Sequence, residues 1–112
     1  MNVYYNDAYV QISNENMSRR VLAHDKNLML VEVIFHKKSD DPGFHNHPHE
    51  QIVYVKKGKF EFIMGGESLT IGEGDSVYVA PNVEHGAKIL EDGGILLDIF
   101  SPVREDFLNP QA

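Results

Sequence analysis

Residues 45–58 read His45-Asn46-His47-Pro48-His49-Glu50-Gln51-Ile52-Val53-Tyr54-Val55-Lys56-Lys57-Gly58, and the organisation of the chain turns on them. Three of the six histidines fall within five residues, and a valine-rich strand follows at once. Imidazole is the commonest protein metal ligand, and side chains at i and i+2 of a strand leave from one face. A straight strand rises about 3.3 Å per residue, which would set His47 and Gln51 roughly 13 Å apart. They share a site only if the chain folds between them, and Pro48 suits such a fold because it cannot donate to a ladder. The spacing therefore predicts that His45 and His47 end one strand, that Gln51 opens its antiparallel partner, and that all three point inward. His49 has the same parity but falls in the turn, so it is expected at the rim and not among the ligands.

A further ligand has to come from elsewhere, and His85 is the candidate. It follows a second strand, Ser76 to Ala80, and a second proline corner, Pro81-Asn82-Val83-Glu84. Three neutral imidazoles and a side-chain amide suit a borderline divalent ion such as Zn, Ni, Fe, Mn or Co. The chain has no cysteine, which excludes disulfides, thiolate zinc sites and iron–sulfur clusters. His24 and His36 stand alone at a turn and at a strand end, and are expected to be solvated.

Outward from this centre the chain reads as short strands between turn clusters. Residues 1–13 are β-prone but interrupted by Asn6 and Asp7, giving an N-terminal strand or arm; a brief strand is expected over 18–24, and 28–37 fits a strand buried on both faces. Residues 51–64 read as two strands folded over Lys57-Gly58-Lys59. Gly65-Gly66 turns into 67–71, Gly72–Asp75 into 76–80, and strands over 87–90 and 95–101 complete the set, leaving 102–112 as a C-terminal tail. Eight or more short strands with glycine-rich turns and almost no helix predict a single-domain, all-β sandwich or barrel.

The 112 residues carry a formal charge of −7 with the basic residues scattered, which argues against a nucleic-acid partner. No apolar run approaches a membrane span and the first residues lack the pattern of a signal peptide, so no membrane partner and a cytoplasmic location are expected. The open sheet edges and N-terminal arm suggest a homodimer.

One acid stands out. In Ile95-Leu96-Leu97-Asp98-Ile99-Phe100-Ser101, Asp98 shares a face with Leu96 and Phe100. An unpaired buried carboxylate is costly, so a cavity wall explains it best. Arg104, one of three arginines, either offers a forked donor to a substrate carboxylate or lies in the exposed tail paired with Glu105 or Asp106.

HNHPHEQIVYVKKG resembles the first motif of the cupin superfamily, two histidines one apart, a carboxylate or amide four residues later and a glycine seven beyond that. GDSVYVAPNVEH resembles the second, with His85 as its histidine. The resemblance implies a cupin jelly-roll barrel with a divalent metal on His45, His47, Gln51 and His85. Gln51 stands where cupins often have glutamate, which removes a negative charge; Ala80 replaces a usual proline, Asn82 a usual glycine and Ser39 the glycine that commonly opens the first motif. Asn tolerates left-handed backbone, so the corner at Asn82 is expected to survive.

LDIFSPVREDFL, with HPHEQIVYV and PNVEHG, further resembles the small cupins of pectin and alginate breakdown, which convert 4,5-unsaturated monosaccharide uronates to linear ketone forms. The resemblance implies catalytic roles for Asp98, Phe100, Arg104 and Gln51, and a small anionic sugar as substrate. Cupin barrels also carry dioxygenases, isomerases and non-catalytic sugar-binding or regulatory members, since fold does not fix function; the reaction rests on Asp98 and Arg104.

Overall fold

The structure, a computed structural model, describes residues 2–7 and 10–109. Among them are nine strands and one helical turn: β1 (Val10–Ser13), β2 (Met17–His24), β3 (Met29–Phe35), β4 (Glu50–Lys57), β5 (Lys59–Met64), β6 (Glu67–Gly72), β7 (Ser76–Val79), β8 (His85–Ile89), β9 (Gly94–Ser101) and α1 (Glu105–Leu108). Every pairing is antiparallel, in a six-stranded sheet ordered β1-β2-β3-β9-β4-β7 and a three-stranded sheet ordered β6-β5-β8. No helix among the described residues is long and apolar enough to cross a membrane.

The two-residue period of the strands builds the core. In β4 the buried positions are Gln51, Val53 and Val55, and in β9 they are Gly94, Leu96, Asp98 and Phe100. Val53, Val55, Val79 and Leu96 meet Phe60, Phe62, Ile71 and Ile89 from the opposing sheet. Burying a ring such as Phe60 in this layer stabilises the fold by about 1.5–3 kcal/mol.

Because one sheet has six strands and the other three, the inner face of β2 and β3 has no strand opposite it. Val21, Met29, Val31, Val33 and Phe100 form a second apolar cluster there, covered by Val103, Phe107 and Leu108. Residues 103–108 of the stretch expected as a tail therefore dock as a lid segment. Between this lid and the two sheets lies a cavity of about 410 Å³.

Two local expectations are corrected. The turn at Gly58 does not close a hairpin: β4 pairs with β7 and β9, while β5 pairs with β6 and β8. Gly58 (φ +90°) passes the chain between sheets at a point where a Cβ would lie 2.9 Å from Gly94 Cα, so the same residue type that closes hairpins here makes a corner. Residues 39–47 do not form the strand predicted before Pro48; they touch β8 at isolated bridges, Ser39 with Ile89 and His45 with His85. Gln51 accordingly opens β4 beside β7 and β9, not beside the histidines' own segment. β3 is buried on both faces around residues 31–33 as expected, the outer face through Glu32, which Arg20 at 2.8 Å and Lys56 at 3.5 Å cover.

The remaining elements follow the reading closely. Gly65 and Gly66, both at positive φ, turn β5 into its paired neighbour β6. The N-terminal segment contributes β1, paired with β2, and Tyr4 donates its hydroxyl to the His24 carbonyl at 2.8 Å; Met1, Ala8 and Tyr9 of that segment lie outside the described residues.

Candidate functional site

The site begins with a backbone strap. His45 and His85 exchange both main-chain hydrogen bonds at 3.0 Å, and the Ala87 N–H reaches the Pro42 carbonyl at 3.0 Å. Gly86 permits this approach, since a Cβ there would collide with the Pro42 carbonyl. The second corner is tied to the first: the Asn82 N–H donates to the His47 carbonyl at 2.7 Å, with Asn82 at φ 64° in the left-handed region. Asparagine thus does the work of the glycine usual at that corner, as its tolerance of this conformation predicts.

Each imidazole is then fixed by one local bond. Nδ1 of His45 meets the Gly43 carbonyl at 3.0 Å, Nδ1 of His47 the His49 carbonyl at 2.9 Å, and Nδ1 of His85 the Val83 carbonyl at 2.8 Å. A carbonyl only accepts, so all three rings carry their proton on Nδ1 and, when neutral, present a lone pair at Nε2. Burial lowers the pKa of both His47 and His85, although their bonds to backbone carbonyls work the other way. The ligand atoms of His45, His47 and His85 lie within 4.8 Å of one another.

These residues fit a metal ion on the evidence of their own atoms. His85 Nε2 is buried and has no hydrogen-bond partner. His47 Nε2 faces Gln51 Oε1 at 3.0 Å, and with its proton on Nδ1 the two meet lone pair to lone pair. A cation between them resolves that conflict. Among the described residues this is the one cluster of histidine and acidic groups placed to hold an ion.

Asp98 stands next to this cluster. It is flanked in register by Val31 on one side and Val53 on the other, and its Oδ1 is buried without a partner. Burial pushes its pKa up to about 7, against a hydrogen bond from Gln51 and the positive charge of Arg104. Gln51 therefore bridges the histidines and the acid. Phe100 packs edge-on to His47 at 5.7 Å between ring centroids and to Phe107 at 5.6 Å. Arg104 lies over Phe107 and Phe100, its Cζ 4.1 and 5.2 Å from their centroids. It is held by Asp106 through Nε at 3.3 Å and Nη2 at 2.9 Å, so both readings of this residue meet: it is paired in the tail, and the tail is folded over the cavity.

His45, Gln51, His85, Asp98, Phe100 and Arg104 all line the 410 Å³ cavity, and His47 adjoins it through Gln51 and Phe100. His49 is outside the cluster and serves His47 through its carbonyl. His24 packs on Tyr4 and His36 bonds the Ser18 hydroxyl, both away from the site. A second hollow of about 480 Å³, lined by Tyr4, His24, Leu28 and Ile99 among others, holds none of the ligand cluster.

The cavity also includes Arg19 and Phe107, which the sequence reading passed over. The missed signal at Arg19 was parity: Met17, Arg19 and Val21 alternate along β2, and Met17 and Val21 belong to the inner cluster.

Comparison with known proteins bears on the whole chain. The cupin domain family matches residues 31–100. The pectin degradation protein KdgF of Dickeya dadantii is 36% identical over 94 residues, which cover 84% of this chain and 86% of that protein. Among solved structures, KdgF from Halomonas sp. is 33% identical with a TM-score of 0.83, covering 94% of this chain and 98% of that one. An RmlC-like cupin from Shewanella frigidimarina is 34% identical with a TM-score of 0.84, covering 96% of each chain.

Two outcomes follow from this geometry. Gly86→Ala forces the strap off β8 and takes His45 with it, so metal bound per chain, measured by elemental analysis after dialysis, falls toward the level of His47→Ala; full occupancy in Gly86→Ala would contradict the strap's role. For Asp98 the folded pKa is raised, so its contribution to stability is present below the ordinary carboxylate range and is lost as pH rises toward 7. Metal-free Asp98→Asn, followed by chemical denaturation, should gain on the metal-free parent by roughly 2–4 kcal/mol between pH 4 and pH 8; a gap that does not change with pH would show the carboxyl to be solvated.

Proposed function

This chain belongs to the cupin family, and from that premise we propose that it is a metal-dependent enzyme of pectin breakdown, converting 4,5-unsaturated monosaccharide uronates into linear ketones. The observation that carries the proposal is Asp98, a buried carboxyl titrating near pH 7 in a cavity it shares with a three-histidine cluster and an arginine. A passive binding surface has no use for a carboxyl kept in that state. The likeness to KdgF of Dickeya dadantii, a pectin degradation protein, supports the substrate class.

In this reading His45, His47 and His85 hold a divalent ion through Nε2, with the Gln51 amide oxygen as fourth ligand. The bound ion supplies a Lewis acid that polarises a sugar oxygen. Arg104 grips the substrate carboxylate, and Phe100 packs against the sugar ring. Asp98 takes the proton of the hemiacetal hydroxyl as the bond from the anomeric carbon to the ring oxygen breaks, leaving an aldehyde and an enolate. It returns that proton to the alkene carbon as the enolate becomes a ketone, so no net proton is consumed. A pKa that burial pushes up to about 7 suits one residue to act as base and then as acid. Gln51, bonded to Asp98 and facing His47, keeps the acid and the metal centre in register.

The proposal extends to a homodimer. On the outer face of the six-stranded sheet Ile99, Ile52 and Tyr78 lie side by side in register, with Tyr54 next along β4, and all four are exposed. A contiguous apolar strip of this kind suits a second copy of the chain.

The test of function follows loss of the conjugated ultraviolet band when metal-loaded protein meets the monosaccharide made by an exolytic lyase. The parent should accelerate the decay strongly, and Asp98→Ala should lose about 10²–10⁴-fold of that rate; decay no faster than with Asp98→Ala would refute the assignment. Light scattering should give twice the chain mass, and a monomer mass that persists at high concentration would refute the dimer.

A further inference from the structure

The lid side of the cavity holds two guanidiniums, and only one has a bonded partner. Arg19 Cζ lies 3.7 Å from the Phe107 ring centroid and Arg104 Cζ lies 4.1 Å from the same centroid. Cation–π contact with a shared ring keeps both side chains extended over the cavity. Arg104 is forked onto Asp106. The Arg19 side chain makes no hydrogen bond or ion pair among the described residues, although Asp106 still acts on its charge at a distance.

The charge ledger at this end of the cavity does not close. Burial alone would raise the Asp106 carboxyl, yet the hydrogen bond and charge of Arg104 and the charge of Arg19 hold it below the ordinary range, which makes it the counter-ion of both. Burial and the neighbouring Arg104 together lower the pKa of Arg19. The other acids of the cavity pair with neither arginine: Asp41 accepts the Gly43 N–H, and Asp98 is bonded to Gln51 between Val31 and Val53. Two cations thus face one committed anion, in a chain whose formal charge is −7. A positive surplus on the inner face of a strand, between Met17 and Val21, invites one further anion.

We propose that Arg19 is a binding and specificity residue for the substrate carboxylate, completing a two-arginine site with Arg104. The inference rests on reading the cavity as a uronate site. Asp106 takes the Nε–Nη2 edge of Arg104 and leaves Nη1 to a substrate, whereas the Arg19 guanidinium has a whole edge to give to a carboxylate. The substrate class this selects is a monoanionic sugar acid: a neutral sugar leaves the surplus unanswered. Because the contact is made equally in the ground state and the transition state, it acts on KM and leaves kcat nearly unchanged.

The experiment measures kcat and KM for the unsaturated uronate, and binding of galacturonate and galactose by calorimetry, in the parent, Arg19→Gln and Arg19→Lys, all metal-loaded. Arg19→Gln should raise KM and weaken galacturonate binding by about ten- to a hundredfold, leave galactose binding unchanged and hold kcat within about twofold. Arg19→Lys should recover part of the loss. An unchanged KM, or an equal weakening of galactose and galacturonate that marks a displaced Phe107, would overturn the role of Arg19 while leaving the proposed reaction intact. If the parent fails to turn over the unsaturated sugar but Arg19→Gln still loses galacturonate selectively, the reaction is wrong and the anion site stands. A parent that binds galacturonate no better than galactose refutes the site.

Discussion

Everything in the site depends on one small interaction made three times, an imidazole Nδ1–H held by a backbone carbonyl two residues away. His45 uses Gly43, His47 uses His49 and His85 uses Val83. Each bond settles a ring's tautomer and orientation within its own turn of chain. The fold then has only to bring three backbones together, through the paired bridge of His45 with His85, the bare Cα of Gly86 and the left-handed Asn82 that reaches the His47 carbonyl. Three lone pairs and the Gln51 oxygen converge as a result, an arrangement that repels itself until a cation sits among them.

The sheets supply what the loops cannot. Alternation along β4 and β9 turns Gln51 and Asp98 inward with the core valines, and the shorter second sheet leaves room beside them. The result is an ordered row of groups along one cavity. Imidazoles form one end, a carboxyl whose pKa burial pushes up to about 7 the middle, and guanidiniums over Phe107 the far end. That order matches a sugar acid lying lengthwise, oxygen toward the metal and carboxylate toward the lid, and it lets a strongly acidic chain receive an anion.

Much of this was legible in the residues. The two-residue period identified the inward faces of β4, with Gln51, and of β9, the histidine run and the proline corners pointed to His45, His47 and His85, and an acid in an apolar run marked Asp98. Other features left no unambiguous trace. Gly58 looks the same whether it closes a hairpin or crosses between sheets, and only the packing on Gly94 decides. The strap over residues 39–45 is held by a few main-chain contacts that no side-chain pattern encodes. Arg19 sits beside Ser18 and Arg20, so its inward position emerges only once Val21 and Met17 are seen in the core. The docked end of the chain depends on Phe107 finding an inner sheet face left bare by the unequal sheets, which is a property of the assembled fold.

The central claim is that the metal cluster and Asp98 together move a proton onto carbon in an opened sugar acid. Proton NMR of the product formed in deuterium oxide tests it most directly. The expected product is an open-chain ketone carrying solvent deuterium at the former alkene carbon, formed only by protein that holds its metal and Asp98. A product that stays cyclic, or that forms at the same rate with metal-stripped protein, would contradict it.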